Sequence, residues 1–248
     1  TTSTSIELVP DKKVYFKGTI SGYVENGQII NFQATGSPLY TGGSIMSLQD
    51  GNPDETTIKY PFEFKRLFNN CSTLVTPPEL PATTLTEGCY EELFVACTNL
   101  TTAPALPATE MARICYKYMF GSCTSLVTPP ELKSIKLAES CYNHMFHLCR
   151  SLKAAPTLPA TELKYECYGG LFDGCTSLVT PPELPANTLA PYCYVRMFNE
   201  CTSLVNAPKL ISKTLAEACY GYMFSNCTSL TQAPDLLATE LAGECYYG

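Results

Sequence analysis

The side chains able to do chemistry in this chain are 14 cysteines, 2 histidines and 23 carboxylates, in 248 residues without tryptophan. The cysteines stand at Cys71, Cys89, Cys97, Cys115, Cys123, Cys141, Cys149, Cys167, Cys175, Cys193, Cys201, Cys219, Cys227 and Cys245. Zinc-type thiolate sites use close C-x-x-C spacing, and no such pair occurs. On a helix, cysteines eight residues apart lie roughly 12 Å from each other, too far for a disulfide. Pairing along a row of seven leaves one thiol over. A free cysteine otherwise behaves as a small buried hydrophobe. Two buried thiol ladders are therefore the expected state, with disulfides and metal sites as the alternatives.

His144 and His147 share the stretch "CYNHMFHLC", and a spacing of three could set two metal ligands on one helix face. Their counterparts elsewhere in the chain are unrelated: Glu92, Tyr118, Gly170, Arg196 and Tyr222 for the first, Val95, Gly121, Asp173, Asn199 and Ser225 for the second. Such variable columns read as outward-facing, so a solvated pair is expected and no metal or other cofactor. General acid and base work needs two carboxylates set together. The column Glu79, Ala105, Glu131, Thr157, Glu183, Lys209, Asp235 instead spaces them one unit or more apart. No nucleophile-elbow, phosphate-loop or dinucleotide glycine motif stands in context. These residues argue against an enzyme.

The elements that must position them follow from the cysteine spacing, which alternates 18 and 8 and so fixes a period of 26. Strict periods of this size mark stacked repeats, in which each unit buries its apolar face against the next. The consensus is C-T-S-L-x-x-x-P-x-L-P-A-T-x-L-x-x-x-C-Y-x-x-M-F-x-x. Its apolar rows run from Leu74 to Leu230, Leu80 to Leu236, Tyr90 to Tyr246 and Phe94 to Phe224. Alternation between Leu74 and Leu80 predicts a short extended segment, shortened by prolines such as Pro78, which cannot donate to a sheet. Positions 85, 89, 93 and 97 then fall at helical spacing, and Thr84 with Glu87, or Thr214 with Glu217, fits a capping box. Strands about 5 Å apart opposite helices about 10 Å apart would bend the stack, with the strands on the concave side.

Net charge is −7 with no basic cluster, which argues against nucleic acid and anionic membranes as partners. No apolar run approaches the roughly 20 residues of a membrane span. Residues 1–62 are expected to form a small β-rich cap of antiparallel strands, from "KKVYFKGTI" and "GYVENGQIINFQA". Residues 63–248 then hold a half unit, six full units and a partial one. The opening "TTSTSIELVPDKK" reads as a mature form, and the mid-unit stop at "GECYYG" as a shortened chain or an end-to-end partner.

Units of L-x-x-x-P-x-L-P followed by C-Y-x-x-M-F-x-x-C-x-x-L resemble the BspA-like class of bacterial leucine-rich repeats over about 180 residues, most specifically at "MFxxCTSL". "KKVYFKGT" with "GGSIMSL" resembles the leader before such repeats in surface proteins of anaerobic bacteria. The resemblance implies an α/β solenoid, a curved right-handed superhelix with short concave strands and short convex helices, displayed on a cell surface or secreted. It implies adhesion or binding to a host or other extracellular protein, or to a glycan. The alternatives are a carbohydrate-binding module and a structural spacer, and the open C-terminal unit offers end-to-end self-association. Two faces carry candidate contacts: Tyr118, Tyr192, Arg196 and Tyr222 on the helix side, and Glu79, Glu131, Glu183, Lys209 and Asp235 on the concave side. Exposed tyrosines serve protein and sugar contacts alike.

Overall fold

The computed structural model describes residues 31–248; the sequence expected to form most of the antiparallel cap strands lies outside them. The described chain is mostly non-helical, with few strands. Strand β1 (Leu39–Tyr40) pairs in parallel with β2 (Leu74–Thr76), and one short helix, α1 (Ser47–Asp50), lies between them in sequence. Gly51 ends α1 in a left-handed conformation, φ 80°, which costs a residue without Cβ little. Beyond β2 the extended segments meet only at single bridges, Thr102 to Thr128, Ala154 to Thr180 and Leu210 to Leu236 among them. The proline row accounts for this, since each proline removes a donor where a ladder would continue. Leu74, Pro78 and Leu80 point inward, while Thr76, expected to share their face, is exposed.

The segments expected as helices are not helices. Every fourth residue there has positive φ: Gly88, Glu92 and Ala96 in one unit, Ile114, Tyr118 and Ser122 in the next, and so on through Tyr222 and Asn226. A right-handed helix has no place for such residues. The chain forms overlapping four-residue turns. Leu67 N–H donates to the Phe64 carbonyl at 3.3 Å, with Arg66 at φ 61° as the third residue of that turn, the position where a type II turn demands positive φ. The intervening amides reach the next unit: Phe64 N–H donates to Cys89 C=O at 3.0 Å and Phe68 N–H to Leu93 C=O at 2.9 Å. Successive units repeat this alternation, as in Tyr90 to Cys115 and Tyr116 to Cys141. Backbone donors are thus shared between turn closure and unit stacking, which answers the demand that buried amides find partners. The expected capping boxes have no helix to cap; Thr214 Oγ1 instead donates to Glu240 Oε2 of the next unit at 3.1 Å.

This geometry sets the core. Tyr rings stack along the unit axis at 5.8–5.9 Å from Tyr90 to Tyr246, and Phe rings at 5.6–5.8 Å from Phe94 to Phe224. Phe64 stacks on Tyr90 and Phe68 on Phe94, so the rows begin one half unit earlier. The 10 Å helix spacing that would have bent the stack is therefore replaced by one close to that of strands. Leu74 to Leu204 and Leu80 to Leu210 are buried, whereas Leu236, in the last unit, is 57% exposed. All 14 cysteines are buried, and none is disulfide-bonded. In the row from Cys97 to Cys227 each thiol donates to a phenylalanine carbonyl of the preceding unit at 3.0–3.1 Å, Cys149 to Phe120 for example. These periodic ladders are compatible with a repeat solenoid.

Candidate functional site

One column of the turn side holds three of its four candidate contacts, Tyr118, Arg196 and Tyr222, together with His144. It runs Arg66, Glu92, Tyr118, His144, Gly170, Arg196, Tyr222, one residue per unit, each with positive φ. Because the conformation is the same in each, the side chains leave the backbone in one direction and meet their neighbours one unit on. Arg66 binds Glu92 through two hydrogen bonds, 2.6 and 2.8 Å. The Tyr118 ring stacks on His144 at 4.7 Å between centroids, 10° from parallel. The Arg196 guanidinium lies 5.1 Å from the Tyr222 ring centre, within cation–π range. Tyr247 packs edge-on against Tyr222 at 5.1 Å. Tyr192 belongs to the column four residues earlier, donates to Glu217 Oε1 at 3.2 Å and lies beside Tyr165.

The other candidate face is sparser. Glu79, Glu131, Glu183, Lys209 and Asp235 are all exposed. Glu131 pairs with Lys133 of its own unit at 2.9 Å. A shallow apolar groove lined by Pro77, Pro78, Pro104 and Pro107 lies beside Glu79.

The histidines depart from the expected solvated pair. His144 lies between the Tyr118 ring on one side and Gly170 on the other, where a Cβ would stand 2.3 Å from Nε2. The side chains of His144 and His147 are 19% and 29% exposed, and that of Asp173, one unit beyond His147, is 10% exposed. Asp173 Oδ2 is 3.8 Å from His144 Nε2 and 3.8 Å from His147 Nδ1. Burial foremost, with His147, Lys117 and Arg196 nearby, pulls the His144 pKa down to about 4, so the ring is neutral near pH 7. Burial also raises the Asp173 carboxyl, while the hydrogen bond from Asn199 acts against that shift. Among the described residues this is the one group of three whose ligand atoms converge, all within 4.8 Å. Sequence reading missed Asp173 as a partner. The signal was the period itself: Asp173 is the counterpart of His147, and Gly170 of His144.

The chain matches no protein-family model, no curated protein and no solved structure. No helix among the described residues is long and apolar enough to cross a membrane.

Proposed function

We propose that the chain is a non-catalytic solenoid of the BspA-like leucine-rich-repeat kind, secreted or held at a cell surface, that binds an extracellular or host protein through its turn side. One observation carries this reading: the inward columns repeat nearly unchanged while the column Arg66 to Tyr222 differs at each step and arrives already paired. Side chains ordered before binding lose less rotamer entropy on contact. Tyrosine and arginine are also the types that dominate protein interfaces. The charge of −7 fits a basic or neutral partner better than nucleic acid.

The test is a single screen of the purified chain against extracellular-matrix proteins and a glycan panel. A protein partner should bind at least about tenfold more weakly after Tyr118→Ala, Arg196→Ala or Tyr222→Ala, the loss expected of a central contact. Binding to glycans alone would replace this reading with a carbohydrate-binding module. Silence on both panels would favour a structural spacer.

A further inference from the structure

We propose that His144, His147 and Asp173 form a binding site for a divalent transition ion of the zinc class, which ties the unit of Cys141 to the unit of Cys167 and keeps a fourth position open to water. Two imidazoles and one carboxylate are a donor set that zinc and its neighbours favour over calcium or magnesium.

The 3.8 Å separations of Asp173 Oδ2 from each ring nitrogen are too long for hydrogen bonds. A tetrahedral ion with bonds of 2.0–2.1 Å holds neighbouring ligand atoms about 3.4 Å apart, so a small inward rotation of each side chain completes the geometry. His147 Nδ1 is buried without a hydrogen-bond partner. His144 Nδ1 lies 3.0 Å from the Asn143 side-chain oxygen; the tautomer that donates this hydrogen bond leaves Nε2 bare toward Asp173. Asn199 Nδ2 donates to Asp173 Oδ1 at 2.7 Å and turns Oδ2 toward the rings. These are the outer contacts that orient metal ligands. Two lone pairs and a carboxylate facing each other repel unless a cation lies between them.

The fold supplies the rest. Positive φ at His144 sends its ring along the stack toward the next unit, and Gly170 is the residue there without a Cβ to fill the space beside Nε2. No other pair of successive described units combines histidine, histidine, glycine and aspartate at these columns.

The experiment titrates the untagged, reduced chain with Co²⁺ and then displaces it with Zn²⁺. Expected are one equivalent per chain and visible d–d bands without a thiolate charge-transfer band, which separates this site from the cysteines. His147→Gln and Asp173→Asn should abolish the signal while circular dichroism and metal-free melting stay unchanged. Asn199→Ala should weaken binding about 10- to 100-fold. A thiolate band, binding undiminished in the folded variants, or no uptake would overturn the proposal. No uptake would mean that the three groups pack together without an ion.

Discussion

Replacing Ala96 by glycine separates a helix from a train of turns by the sign of its effect. In a helix the change costs about 1 kcal/mol. Ala96 has φ 58°, where an L-residue is disfavoured by roughly 1–2 kcal/mol. Glycine releases that strain and gives back roughly 0.5–1 kcal/mol in backbone entropy. It also gives up part of the roughly 0.8 kcal/mol of one buried methyl, since the site is half-buried. The balance is between neutral and about 1 kcal/mol more stable. Ala82 is buried at 1% exposure and is not among the positive-φ residues, so Ala82→Gly should lose about 1 kcal/mol or more. Chemical denaturation of both variants, with unchanged m-values, reads the difference. If Ala96→Gly loses as much as Ala82→Gly, the turn geometry is wrong.

Two further tests concern the core. Phe146 stacks on both Phe120 and Phe172, whereas Phe224 has Phe198 alone in its row and is only partly buried. Phe146→Ala should cost about 3–5 kcal/mol and Phe224→Ala markedly less; equal losses by denaturant melting would contradict a nearest-neighbour stack. Burial pushes the thiols of Cys89, Cys123 and Cys167 up to about 12, above roughly 8.5 for an unfolded cysteine. The unfolded chain therefore gives up these protons first as pH rises. Stability is full below about pH 8.5 and should fall by up to ~1.4 kcal/mol per pH unit for each such thiol until about pH 12. Denaturation midpoints that stay flat from pH 8 to 11 would contradict this.

How much of the site was legible divides along the same line as the fold. The columns were: Tyr118, Arg196 and Tyr222 lie 26 residues or a multiple apart, and the period alone sets them in register. Their pairing was not, because it depends on a backbone angle. Positions 85, 89, 93 and 97 recur every four residues, and over three turns a period of 3.6 cannot be told from a period of 4. A helix and a train of four-residue turns bury the same positions. Glycine at 88, 170 and 174 hinted at positive φ, but Ile114, Glu92 and Tyr118 adopt it as well, against their own preference.

The sequence by itself determined the 26-residue register, the Leu, Tyr, Phe and Cys rows, the burial of the thiols and the shortness of the strands, since each depends only on which residues recur and on what proline cannot donate. Tertiary structure decided that turns replace helices, because the amides left over from turn closure find carbonyls only on the neighbouring unit. It also decided that Asp173 meets His144 and His147, because that contact exists only when two units stand about one strand spacing apart.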